Sequence, residues 1–126
     1  MHINATQGYY IDFEDPAVES ALISAGISSD GVGITETDAA DAVLYQEDLV
    51  SLKNTLTTFN EFNKFTTSNT ANYNFTSRFK DFTNLTSINL TALTRLHEND
   101  FRNTGITVVN APNLTGLGYR NGNSVF

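Results

Sequence analysis

Leu85-Thr86-Ser87-Ile88-Asn89-Leu90-Thr91-Ala92-Leu93-Thr94-Arg95-Leu96 aligns with Ile106-Thr107-Val108-Val109-Asn110-Ala111-Pro112-Asn113-Leu114-Thr115-Gly116-Leu117 at a constant offset of 21 residues. All five apolar positions are kept, and three polar ones, Thr86/Thr107, Asn89/Asn110 and Thr94/Thr115, are identical. An apolar row of this spacing, recurring with a period in the twenties, marks a stacked repeat in which each unit adds one short strand to a parallel ladder. The positions between the apolar ones point away from the core. A partner held on that face would therefore touch Thr86, Ser87 and Asn89 beside Thr107, Val108 and Asn110; otherwise these side chains only ladder with one another.

Upstream, Leu56-Thr57-Thr58-Phe59-Asn60 matches Leu85-Thr86-Ser87-Ile88-Asn89 at an offset of 29, after which Phe62 and Phe65 drift out of register. This reads as a first turn of the same stack, with Thr66 to Arg78 as a looped insertion. Phe79, Phe82 and Phe101 suit the aromatic positions that fill the convex side of such a stack. The LxxLxL pattern is the leucine-rich-repeat signature, and the expected fold class is α+β: a small N-terminal helix-turn-helix head followed by a short leucine-rich-repeat solenoid.

Two compositional steps fall at the junction. Residues 1–50 carry ten acids and no Lys or Arg, whereas residues 51–126 carry seven bases against four acids. The second segment also holds 14 Asn and 14 Thr, against one and three in the first. Asn and Thr suit turns and strand faces better than helix interiors, so the expected division is an acidic helical head over 1–52 and an Asn/Thr-rich repeat region over 53–126.

In the head, Asp15-Pro16 supplies an N-cap and a first-turn proline, Val18, Ala21, Leu22 and Ala25 recur at helical spacing, and Gly26 supplies a stop, which predicts a helix over about 16–25. Thr35-Glu36-Thr37-Asp38 resembles a capping box, with Ile34 placed to staple onto Ala39, and predicts a second helix over about 36–45 with a short turn continuing through Leu49. Tyr9 to Phe13 reads as a strand or extended arm.

Chemistry is sparse. There is no cysteine, so disulfides, thiolate metal sites and thiol nucleophiles are excluded. Tested as a calcium loop with Asp30-Gly31 at positions 5 and 6, the helix link has Gly26 at position 1 and Thr37 at position 12, leaving two ligand positions empty, so no metal is expected. The two histidines are His2 and His97, and the latter is expected in an exposed repeat turn beside Glu98. Gly31-Val32-Gly33 lacks the lysine and strand-turn-helix context of a phosphate loop. Asp38 and Asp41 at i, i+3 read as a solvated pair rather than an acid-base couple. No catalytic residue, cofactor or enzymatic activity is expected. The acidic first segment opposes nucleic-acid and anionic-lipid partners, and no cationic leader or apolar run near ~20 residues predicts export or a membrane span.

Phe82-Thr83-Asn84-Leu85-Thr86-Ser87-Ile88-Asn89-Leu90 and Asp100-Phe101-Arg102-Asn103-Thr104-Gly105-Ile106-Thr107 resemble the BspA-like leucine-rich repeats of bacterial surface proteins, whose pattern runs AF-x-N-C-x-x-L-T-x-I-x-L-P. Thr83 or Thr104 stands at the cysteine position. The arrangement of Ile11-Asp12-Phe13, Asp30-Gly31-Val32-Gly33-Ile34-Thr35 and Thr58-Phe59-Asn60-Glu61-Phe62 is similar to the helical head that precedes such repeats in gut bacteria and their tailed, crAss-like phages. The resemblance covers about 79–126 well and about 9–65 loosely. It implies a non-enzymatic virion structural or attachment protein of fibre type, located on the phage particle. Its partners would be other virion proteins or copies of itself, and a host-surface protein or glycan. The alternatives are a bacterial cell-surface adhesin and a cytoplasmic interaction module. Because an open solenoid end exposes its last coil, Val125 and Phe126 are expected either to precede further repeats or to be buried against a partner subunit.

Overall fold

The head is built from local signals that agree with one another. Asp15 accepts from the Ala17 amide at 2.9 Å and Pro16 opens helix α1, Pro16–Ser24. After Ala25, Gly26 turns left-handed at φ 82°, and the amides of Gly26 and Ile27 bond back to the carbonyls of Ile23 and Leu22. That is a Schellman closure, and it lays Ile27 over Leu22. Helix α2, Glu36–Asp41, starts on a reciprocal box in which the Asp38 amide donates to Thr35 Oγ1 at 3.0 Å and the Thr35 amide to Asp38 Oδ2 at 3.1 Å. Ile34 and Ala39, at the staple positions, are both buried.

The computed structural model describes residues 3–4, 8–70, 77–97 and 99–118, and over these the chain is a small α+β protein. Strands β1, Ile3–Asn4, and β2, Gly8–Tyr9, pair antiparallel. The arm continues with a Tyr10–Thr35 bridge and an Ile11 amide bonded to the Ile34 carbonyl at 2.8 Å, which ties it to the entry of α2. Gly33 is required here, because a Cβ would lie 2.5 Å from the Tyr10 ring.

Helix α2 is shorter than its pattern predicts. It ends at Asp41 rather than 45, because Ala42 turns extended (ψ 139°) and its carbonyl accepts from Ser68 Oγ at 2.8 Å, while Leu44 donates to the same hydroxyl at 3.0 Å. Ser68 thus takes over backbone groups that another helical turn would have used. Helix α3, Gln46–Leu49, then begins afresh, with the Tyr45 amide donating to Asp48 Oδ2 at 2.8 Å, and runs into a 3-10 turn over Val50–Leu52.

The repeat region contributes two parallel pairs. Strand β3, Thr58–Phe59, pairs with β4, Ser87–Ile88, in the register Thr58 to Ser87, an offset of 29. Strand β5, Arg95–His97, pairs with β6, Gly116–Gly118, in the register Leu96 to Leu117, an offset of 21. Both registers equal the offsets of the sequence alignment. The turns between strands repeat at 22 instead: Ser77 and Asn99, and Asp81 and Asn103, are all left-handed, with φ between 57° and 67°. Asp and Asn tolerate that region better than most side chains. The Phe79 amide bonds to the Asp100 carbonyl and the Asp81 amide to the Arg102 carbonyl, and the Phe79 ring stacks on Phe101 at 5.4 Å and 8°. Phe79, not Phe82, is therefore the counterpart of Phe101, and the later coil is one residue shorter between its turn and Ile106.

Residues 66–70 correct the expected looped insertion. They form helix α4, Thr66–Thr70, whose Ser68 and Asn69 are buried and whose Asn69 carbonyl accepts from the Thr94 amide at 3.0 Å. Residues 71–76 lie outside the described residues. Phe62 and Phe65, out of register with the repeat, are buried on a 3-10 turn over Asn60–Lys64 and pack with Phe59 at 5.4 and 5.5 Å. Together with Phe79, Phe82 and Phe101 they join Val18, Leu22, Ile34 and Leu49 of the head in one continuous core.

Candidate interaction surface

The abundance of Asn and Thr has a structural use, since these side chains stitch each coil to the one before. Asn84 Nδ2 donates to the Asn54 carbonyl and Asn113 Nδ2 to the Thr91 carbonyl, each at 2.6 Å. Thr115 donates to the Thr94 carbonyl through its amide at 2.8 Å and its hydroxyl at 3.2 Å. Asn103 Nδ2 donates to Asp81 Oδ1 at 3.1 Å. Carbonyls that a two-residue strand leaves unpaired are met in this way by the next coil.

The six expected contact residues divide. Thr86 and Ser87 are exposed, and their amides bond to the Thr57 carbonyl at 3.1 and 3.2 Å. Ser87 Oγ donates to Asn60 Oδ1 at 2.8 Å. Asn89 folds into an Asx turn, its Oδ1 accepting from the amide and hydroxyl of Thr91 at 3.0 and 2.6 Å. Thr107, Val108 and Asn110 are exposed, Val108 to 81%. They do not extend the ladder: residues 106–110 carry no strand, and β4 pairs with β3 alone. The residue lost after the turn brings Gly105 close to the previous coil, where a Cβ would stand 3.0 Å from the Thr83 carbonyl oxygen, and the chain passes β4 without exchanging ladder bonds.

Asn89 and Asn110 are nonetheless neighbours. With Asn60 they line an open groove of about 230 Å³, floored by Ile88 and Leu90 and closed at one side by Thr91. These three asparagines occupy one slot of successive coils, at the same offsets of 29 and 21. Asn60 is fixed, its Nδ2 donating to Glu14 Oε1 at 3.1 Å and to Thr58 Oγ1 at 3.0 Å. Glu14 also accepts from Thr58 Oγ1 at 3.0 Å, so the seam between head and repeat ends at the groove's edge.

Three ionisable features shape the protein beneath this surface. Arg78 and Asp100, both buried, form a two-pronged pair: Nη2 to Oδ2 at 2.7 Å and Nε to Oδ1 at 3.1 Å. Nη1 donates to the Ser68 carbonyl at 2.7 Å, and the guanidinium lies 5.9 Å from the Phe62 ring centre. The two residues occupy the same turn slot in consecutive coils, just ahead of Phe79 and Phe101. His97, expected to be exposed, is 3% accessible because it ends β5 beside this pair. Burial, and then the Arg78 charge, holds its imidazolium below the ordinary histidine range. Glu61 is 7% accessible, and burial pushes its carboxyl upward while the Glu14 amide donates to Oε2 at 3.2 Å. Its Oε1 has no hydrogen-bond partner among the described residues.

In the loop tested for calcium, Asp30 acts as a turn anchor. Its Oδ1 accepts from the Val32 amide at 2.8 Å and the Gly33 amide at 3.3 Å, and its Oδ2 accepts from the Tyr10 hydroxyl. These donors, the Tyr10 hydroxyl foremost, hold the carboxyl well below the usual carboxylate range. Asp38 is likewise committed to capping α2. Among the described residues no group of three His, Asp or Glu side chains is placed to hold a metal ion, and no helix is long and apolar enough to cross a membrane.

The head carries a separate open groove of about 560 Å³ between α1 and α3, where Ala17, Ser20, Ala21 and Ser24 face Glu47 and Asp48. Comparison with known proteins gives no significant match to a family model, a curated protein or a solved structure.

Proposed function

We propose that the chain is a non-enzymatic attachment module: an acidic head that docks onto a larger particle, and a short leucine-rich-repeat solenoid of BspA-like kind that presents a polar surface. The observation that carries the reading is the pair of parallel registers at offsets of 29 and 21, which match the sequence repeat. They set Asn60, Asn89 and Asn110 side by side on an open groove. A repeat that aligns equivalent side chains along one exposed groove suits recognition of an extended ligand. The groove between α1 and α3, rimmed by Glu47 and Asp48, suits the docking role of the head.

The particle proposed is a phage virion, with the protein a fibre or attachment component beside other virion proteins or copies of itself. This rests on the resemblance of residues 79–126 to BspA-like repeats and of the head to its phage counterparts. Quantitative mass spectrometry of purified particles and of the host cell envelope tests it. Enrichment of the chain with capsid and tail proteins is the expected result. Enrichment in the envelope fraction would favour a cell-surface adhesin instead, and recovery only from soluble lysate would overturn both.

A further inference from the structure

The asparagine groove has chemistry that narrows its ligand, and the inference rests on the attachment reading above. Its lining, Asn60, Ile88, Asn89, Leu90, Thr91 and Asn110, contains no ionisable side chain although the chain carries 21 Asp, Glu, Lys and Arg residues. Charged ligands would find no countercharge in it. Asn60 is held by Glu14, Thr58 and Ser87, and therefore serves as wall. Asn89 spends its oxygen on Thr91, but among the described residues its Nδ2 has no partner, and neither does the Asn110 carboxamide. The groove thus offers one fixed amide donor and one complete donor-acceptor pair above a floor of Ile88 and Leu90.

A hydroxyl both donates and accepts, so a ring bearing neighbouring hydroxyls can satisfy an amide nitrogen and an amide oxygen together. Its C–H face covers apolar floor that water leaves exposed. We propose that this groove is a binding site for a neutral saccharide, with Asn110 taking a pair of hydroxyls and Asn89 Nδ2 donating to a third oxygen. An extended peptide is less suited, because residues 106–110 present no strand for it to join.

The Asx turn at Asn89 shapes the choice of variants. Asn89→Asp keeps the oxygen that holds Thr91 and removes only the amide donor, and Asn110→Ala alters an exposed side chain. The intact protein is probed against immobilised neutral hexose and N-acetylhexosamine oligosaccharides, with sialylated oligosaccharides and unmodified peptides as parallel arms. Binding to neutral saccharides that each variant weakens about tenfold, the loss of one or two well-formed hydrogen bonds, is the expected result. Saccharide binding unchanged in both variants, binding confined to the sialylated or peptide arm, or no binding in any arm would overturn the proposal. If the chain is recovered on particles yet binds no saccharide, the attachment reading stands and the saccharide site falls.

Discussion

The coil over 85–97 and the coil over 106–118 follow the same apolar pattern and meet different fates. Leu85, Leu90, Leu93 and Leu96 are buried, whereas Ile106, Ala111 and Leu114 are only partly covered and Val109 is 46% exposed. Identical spacing therefore does not confer identical energetic weight. The inner coil lies between the first turn and the outer coil; the outer coil has a neighbour on one side among the described residues. In a stack, a side chain's worth is set by how many coils enclose it.

The largest expected effect breaks the link between coils. Asp100→Ala strands the buried Arg78 charge and should cost about 3–5 kcal/mol in urea unfolding, whereas an Arg78→Met/Asp100→Leu double variant should recover most of that loss. If the double variant is as unstable as the single one, packing rather than charge governs the slot. Next, Leu93→Ala should cost about 2–4 kcal/mol and its outer equivalent, Leu114→Ala, about 1 kcal/mol, because only the first leaves an enclosed cavity. Equal losses would mean that residues outside the described ones bury the outer coil as fully as the inner.

Glu61 sharpens the comparison at the other end of the stack, where the head closes the first turn. Burial raises its carboxyl pKa in the folded state. The folded state therefore binds the proton more tightly than the unfolded chain, and the associated stability is present below the unfolded pKa and lost as pH rises through the folded one. Glu61→Gln should raise Tm over the parent at pH 7, with the difference vanishing near about pH 4. A difference independent of pH would show that the carboxyl does not titrate across this window. The smallest effect belongs to the outermost surface: Val108→Ser should change stability by less than about 0.5 kcal/mol. A larger loss would mean that another surface covers Val108.

Local and periodic features were legible in advance. The caps at Asp15 and Thr35, the Gly26 stop and both strand registers follow from residues within one turn of each other or from a repeat. What escaped depends on contacts between distant segments. Ser68 cuts α2 short from 26 residues away, and no helix propensity encodes it. Arg78 and Asp100 read as scattered surface charges until the turns are aligned at 22 rather than 21, which sets opposite charges in one slot ahead of paired phenylalanines. That alignment was available in the sequence, and it would also have marked His97 as buried beside the pair. Of the site, all six expected residues were named; Asn60, held from the head by Glu14, was matched to the repeat but not recognised as a wall of the groove. Glu98, Val125 and Phe126 lie outside the described residues, so the expectations attached to them are neither met nor corrected.

The pairing intervals carry a kinetic consequence. The arm meets α2 from Tyr10 to Thr35, the first coil closes from Thr58 to Ser87 and the next from Arg95 to Gly116, so each of these closures spans between 21 and 29 residues. Loops of that size close at little entropic cost, and none of the three waits for a strand from the opposite end of the chain. A nascent chain emerging from the ribosome can therefore complete its head and lay each coil on a finished surface. The slow step is then left to the longer connection from Glu14 to Asn60, which spans 46 residues and locks the head to the stack.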